Sequence, residues 1–499
     1  MVFSVTAPLW IGIFIGAIIG GLAEIWGISN SDILLRLSKW DDRLFINCIA
    51  IAIGVGALVL YGLAAAGVGF HFGIKPIYVI GIALGAVIFG AGIAISGYVP
   101  GTEWMALGEA RREAVYAIFG GLLGAASWTV LYQTSVGQWL VNTMNYGMLY
   151  LGGKVDTNLT IGFGIAIVWF ILMMLVAYFL PRYKKGKSCV YTMTHSDYKL
   201  SGYELNKHKE TSEILIEGSN LPLGKKDKVA KDSNYSWAPK SNLRGLLTLV
   251  GAIIGITVVL AMFLHQIFGE STTYSWMVGY LFLPKFSYSK IVLSSIGWEP
   301  FSDIGTLLGA FIAAIFVTRR FQSFNKWTPS TWRLRFGNSE VKRAFGVFIG
   351  SYMVLFGARM AGGCASGHIL SGSLQMALSS ILFFVVVAIS LLITGKIIYG
   401  KTDTDLFEPK NKPKVAVPAR QNENGVKWFA AIMSIIVVLV AAATVGTYSG
   451  YAPNPNAVAA TGFVLLFTLL FTAVWYKSKY STYTHKMYED NTGSEYYEG

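Results

Sequence analysis

Gly357-Ala358-Arg359-Met360-Ala361-Gly362-Gly363-Cys364-Ala365-Ser366-Gly367-His368 closes a long apolar stretch that is expected to cross a membrane. An arginine, a cysteine and a histidine stand there among glycines and alanines. A cation in hydrocarbon is costly, so it faces a partner, a water-filled cavity or a substrate path. Clustered glycines let the backbone bend and approach a ligand closely. The stretch therefore reads as a small-anion site halfway through a transport protein.

The rest of the chain agrees with a membrane setting. Of 499 residues, 54% are hydrophobic and 13% charged, and the mean hydropathy is +0.53. Soluble chains carry about 25% charged residues. The deficit comes from apolar runs of roughly 18 to 25 residues, long enough to cross a bilayer. The net charge of +13 does not call for nucleic acid, because Lys and Arg collect in the loops between spans. Three cysteines, Cys48, Cys189 and Cys364, give neither a disulfide framework nor a zinc pattern. The amino terminus lacks the basic region of a cleaved signal peptide, so the first span is expected to stay. No cofactor and no metal are expected.

Spans are predicted near 8–27, 45–66, 76–97, 114–134, 159–180, 244–268, 303–318, 344–360, 373–399, 426–447 and 457–476, about eleven in all. The half-apolar segment 274–300 reads as interfacial or re-entrant. The fold class is thus all-α and polytopic. The expected layout is a first transmembrane repeat over 1–180, a basic cytoplasmic loop over 181–243, a second repeat over 244–400, a basic loop over 401–425, and two additional helices with a tail over 426–499. The loops 28–44, 181–243, 319–343 and 400–425 and the tail are basic, whereas 135–158 holds one Lys and no Arg. With the amino terminus outside and the carboxy terminus in the cytoplasm, every basic loop falls inside. The location this implies is the plasma (inner) membrane.

A second, weaker copy of the opening stretch ends the third span. Phe89-Gly90-Ala91-Gly92-Ile93-Ala94-Ile95-Ser96-Gly97-Tyr98-Val99-Pro100-Gly101-Thr102 and Phe356 to His368 both begin Phe-Gly-Ala. Five spans separate the copies, so they cross in opposite directions. Inverted-topology repeats carry this signature, and their broken helices meet near the midplane. Chance likeness of two glycine-rich spans is the plainer alternative, since glycine is common in membrane helices.

At these residues the chain resembles the YeeE/YedE family of membrane proteins, which includes thiosulfate transporters. GARMAGGCASGH followed by Ser371-Gly372 resembles the family's second-half signature. GYVPGT followed by Ala106-Leu107-Gly108-Glu109-Ala110-Arg111 resembles the first-half signature, ordinarily GYCPGT. The first span and the span near 303–318 resemble the start of each family repeat. The likeness covers roughly residues 8 to 400. It implies two inverted halves forming an hourglass, with short helices dipping to a waist where cysteines pass thiosulfate by S–H hydrogen bonds. Here the matching positions are Cys364 and Val99. Valine cannot donate a hydrogen bond, and the turn Ile28-Ser29-Asn30-Ser31 also has no cysteine, so one thiol remains.

The expected substrate-pathway residues are Cys364, His368, Arg359, Gly363 and Gly367 in the second half and Val99, Pro100, Gly101 and Thr102 in the first. Cys364 reads as a soft, weak donor to a sulfur anion, or as a small buried hydrophobe. His368 either bonds a carbonyl or presents N–H to an anion. Arg359 either locks helices through carbonyl groups or sets anion preference. Glu109 and Arg112 read as a local i,i+3 pair. No carboxylate cluster of the kind that forms a proton relay is visible along the spans, which leaves channel-like movement open.

Three functions follow. The first is transport of thiosulfate or a related small sulfur-containing anion through the bilayer, with no catalytic residues. The second is an accessory subunit of a larger sulfur-metabolising or energy-converting complex. The third is an intramembrane sulfur-transfer enzyme using Cys364. A cytoplasmic sulfur-carrier protein or membrane-complex subunits are the protein partners these readings allow; nucleic acid is not among them.

Overall fold

The computed structural model describes residues 8–153, 159–180 and 241–318, most of 321–400, and residues 432, 435 and 436. Among the described residues the chain is helical, with isolated β-bridges only. In chain order the helices are α1 (Ile11–Trp26), α2 (Ser31–Ser38), α3 (Leu44–Ala65), α4 (Val79–Ser96), α5 (Pro100–Gly108), α6 (Arg112–Tyr132), α7 (Ser135–Asn142) and α8 (Leu159–Phe179). There follow α9 (Ser241–Phe263), α10 (Thr272–Leu281), α11 (Ser287–Ser295), α12 (Glu299–Ala313), α13 (Ser330–Phe336), α14 (Glu340–Met360) and α15 (Leu378–Tyr399). A π-helical segment, Ala314–Thr318, extends α12, and another, Ala365–Gly372, follows α14.

Seven helical stretches among the described residues are long and apolar enough to cross a membrane, or eight if the bent pair α1–α2 counts as one. Nine of the eleven expected spans fall on helices; of the other two, 426–447 is described only at residues 432, 435 and 436, and 457–476 lies outside the described residues. Residues 181–240 and 401–425 of the expected loops also lie outside the described residues, while 241–243 open α9. The segment expected to be interfacial or re-entrant forms the two short helices α10 and α11.

Glycines set the packing. α4 and α14 run antiparallel, and a Cβ on Gly85 or Gly92 would lie 2.6 Å from the carbonyl oxygen of Gly357 or Gly350 respectively. The helices therefore touch backbone to backbone, as small residues permit inside a bilayer. α1 and α12 run parallel: Gly12 abuts Trp298, Gly16 abuts Ser302 and Gly20 abuts Thr306. α3 packs along α9, α6 along α14, and α15 along α4. α8 presents Val168 and Phe179 to the surroundings, the side expected to meet lipid.

Candidate functional site

Two breaks bring the glycine-rich stretches into the interior. α4 ends on Gly97 (φ 74°) and α14 is followed by Gly362 (φ 78°). Both are left-handed, a conformation glycine adopts without a Cβ penalty. Two residues on, Val99 (φ −124°, ψ 161°) and Cys364 (φ −105°, ψ −163°) are extended and begin α5 and the Ala365–Gly372 segment. The two positions expected to correspond thus hold the same place in their local folds. Both join one buried apolar cluster.

The first stretch builds a capped half-helix. Pro100 stands at the first helical position, where its missing N–H costs nothing. The Thr102 hydroxyl accepts from the Val99 N–H at 2.9 Å and donates to the Val99 carbonyl at 2.9 Å. Thr102 is therefore engaged in its own turn. No Cβ fits on Gly101, because the carboxylate of Glu270 occupies that place.

The second stretch carries the thiol. Cys364 is buried, with its Sγ 3.1 Å from the Ser366 hydroxyl. His368 is fully buried and stacks on Phe383. Its Nε2 lies 3.0 Å from the Ala361 carbonyl, which only an N–H satisfies; its Nδ1 then accepts from Ser380 at 3.0 Å. Both ring nitrogens are occupied, so the imidazole holds the turn.

Arg359 is held by hydroxyl groups. Its Nε and Nη2 donate to the Tyr288 hydroxyl at 2.9 and 2.6 Å, and its Nη1 donates to Ser271 at 2.9 Å and Thr272 at 3.1 Å. Neutral partners fix the guanidinium without cancelling its charge. Glu299 acts on it through space, as does Cys364.

The sequence reading missed Lys75. It is half-buried in the loop before α4, and its ammonium group donates to the Gly362 carbonyl. A Cβ on Gly363 or Gly367 would crowd that ammonium group. Two bare glycines thus make room for a cation beside Cys364. Burial, and after it the charge of Arg359, push the Lys75 ammonium down to about 8. A lysine next to Pro76 in an otherwise apolar loop was the available signal.

It also missed the acids. Glu103, Glu270, Glu299 and Asp303 are all buried. Tyr274 donates to Glu103 and sits in the field of Asp303 and Glu270. The expectation of no carboxylate cluster is therefore corrected: elements distant in sequence assemble one. Burial pushes the Glu270 carboxyl up to about 8, against a hydrogen bond from Ser366.

A second polar network lies at the other end of α1. The Ser29 hydroxyl lies 2.6 Å from the Glu24 carboxyl group and also contacts that of Glu109, while Thr318 donates to Glu24 at 2.9 Å. Arg343 donates to Glu113 at 2.6 Å and to the Ser96 carbonyl at 2.7 Å, and the Tyr98 hydroxyl donates to Glu113 at 2.6 Å. The expected Glu109–Arg112 pair is not formed. Glu109 pairs with Arg111, and Arg112 reaches Glu340 at 3.5 Å near the surface. The tight turn between α5 and α6 points Arg111 inward and Arg112 outward.

These features define an all-helical membrane protein in which two helix breaks and the loop before α4 bring a thiol, an arginine and a lysine together in the interior. The chain belongs to the sulphur transport family, the YeeE/YedE family, whose profile matches residues 39–393. A search of curated proteins found no match. The family is one of transporters, and the chain is accordingly a sulfur-related membrane transport protein.

Proposed function

We propose that this protein carries thiosulfate, or a related small sulfur-containing anion, across the plasma membrane through a constriction bearing Cys364. The observation that carries the reading is one buried thiol flanked by two cations, Lys75 and Arg359, inside a sulphur transport family member. Lys75 recruits the anion. Arg359, held by neutral hydroxyls, lends it positive potential. Cys364 offers a weak S–H donor, and Gly363 and Gly367 leave backbone open beside it. Weak contacts suit a path, because a substrate must also leave. Val99 supplies an apolar wall where the family pattern has a second thiol. No bond is made or broken, so the chain acts without a catalytic residue.

The transport unit is read as two inverted repeats. α1, α2, α3, α4, α5 and α6 correspond to α9, α10, α12, α14, the Ala365–Gly372 segment and α15. Reciprocal packing supports this: α1 with α12 answers α9 with α3, and α6 with α14 answers α15 with α4. Gly20 against the Thr306 carbonyl answers Gly255 against the Ala52 carbonyl. Because α1 and α12 run parallel, the inverted counterpart of α1 is α9, and the span near 303–318 answers α3 instead. In this reading the amino terminus is outside, the Lys75 loop faces outward, and the Glu24–Glu113 network faces the cytoplasm.

Purified protein in liposomes, given labelled thiosulfate, tests the reading. Saturable uptake that competing sulfur anions reduce is expected. Absence of uptake together with stoichiometric copurifying proteins would replace it with the complex-subunit reading.

A further inference from the structure

Glu270 stands between the two half-helices. Its carboxylate fills the space at Gly101, in the first turn of α5, and accepts a hydrogen bond from Ser366 in the Ala365–Gly372 segment. The amino end of a helix such as α5 attracts anions. The Glu270 carboxylate thus occupies the seat a small anion would take at the waist. Its Oε1 has no hydrogen-bond partner although the residue is only 3% exposed.

Asp303 is more isolated still. It is 1% exposed, and neither carboxylate oxygen has a hydrogen-bond partner. The Thr273 hydroxyl faces it, yet that oxygen also completes no bond. Buried polar atoms are normally satisfied, so orphaned carboxylate oxygens point to something that binds them. Around Asp303 stand Glu270, Glu299 and Cys364. Around Glu299 stand Arg359 and Lys75. Glu103, on α5, is held by Tyr274, and Glu24 lies at the far end of α12 beside Thr318. Both cations thus face Glu299, and four ionised acids could not coexist there with an incoming anion. Among the described residues no group of three or more His, Cys, Asp or Glu is disposed to hold a metal ion.

We propose, building on the transport reading above, that Glu270 and Asp303 form a proton-binding site linked to anion passage. With Glu270 ionised, its carboxylate fills the seat. A proton taken by Glu270, and a second by Asp303, neutralises the seat and lets the sulfur anion replace the carboxylate. By reciprocity the bound anion raises the proton affinity of both acids. Anion and protons then cross together, which lessens the negative charge carried inward.

The test uses full-length protein in liposomes with the membrane potential clamped to zero, labelled thiosulfate and a pH-sensitive dye outside. An acid-outside gradient of one pH unit should raise accumulation about tenfold per proton carried, and adding thiosulfate should turn the outside alkaline. In Glu270→Gln and Asp303→Asn the ratio of uptake with and without the gradient should fall toward one, and the dye signal should vanish. Glu340→Gln, at the surface, should keep both. If a variant fails to fold, wild-type protein in detergent still decides: calorimetric thiosulfate binding in two buffers of different ionisation enthalpy should show proton uptake. Uptake indifferent to the pH gradient, or driven by sodium with no dye signal, overturns the proton site and leaves the transport reading standing. No uptake under any gradient overturns both.

Discussion

Lys75, in the loop before α4, donates a hydrogen bond from its ammonium group to the carbonyl of Gly362, the left-handed residue that turns the chain toward Cys364. A residue from the first half of the chain thereby completes the motif of the second. The ammonium is the cation nearest the bare backbone of Gly363 and Gly367.

Lys75→Gln should weaken thiosulfate uptake about tenfold or more at low substrate, by removing a charge from a water-poor site. Initial rates across a substrate range check this. A rise in KM with little change in maximal rate is expected, because recruitment is lost and passage is not.

Uptake should also decline as pH rises through about 8. Lys75 is pushed down to about 8 by burial, so it carries its charge below that value and loses it above. Glu270 is pushed up to about 8, so it is neutral below and ionised above. Both changes oppose an anion at high pH. Rates measured from pH 6 to 9.5 with equal pH on both sides should fall over that window, and in Lys75→Arg the fall should be shallower, because only the Glu270 ionisation remains.

The α4–α14 crossing should tolerate no bulk. A Cβ on Gly92 would lie 2.6 Å from the Gly350 carbonyl oxygen, which is backbone and cannot swing away. Gly92→Leu should therefore lower thermal stability in detergent by about 3 kcal/mol or more, the upper range for overpacking. A melting temperature equal to wild type would contradict the packing described.

Arg343 and Glu113 form a buried pair at 2.6 Å that also engages Ser96 and Tyr98. Removing one partner strands the other charge, at a cost of about 3–5 kcal/mol. Glu113→Ala should lower the melting temperature sharply, while Arg112→Ala, whose partner Glu340 lies near the surface, should change it little. Parallel melts of the two variants compare the effects.

Much of this architecture is legible in the chain. Apolar runs mark the spans, because a bilayer demands length and apolarity. Gly97 and Gly362 mark the breaks, because only glycine enters those turns cheaply. What the sequence hides is assembly. Glu299 and Asp303 lie one turn apart on α12, but Lys75 and Glu270 come from separate loops and show no spacing pattern with them. Glu270 offered a local signal, an acid just beyond an apolar span, but its contact with Gly101 depends on how α5 turns back. Arg111 and Arg112 show the same limit: adjacent residues face inward and outward because of a turn that periodicity does not report.

Cys364 tests the account most directly. Initial thiosulfate uptake should be compared in vesicles of matched protein content for wild type, Cys364→Ala, Cys48→Ala and Val99→Cys. Cys48 is packing within α3, so its loss should matter little. Cys364→Ala should reduce uptake at least tenfold, and Val99→Cys should preserve or raise it by placing a second soft donor at the matching position. Full uptake by Cys364→Ala would contradict the account and remove the thiol from the path.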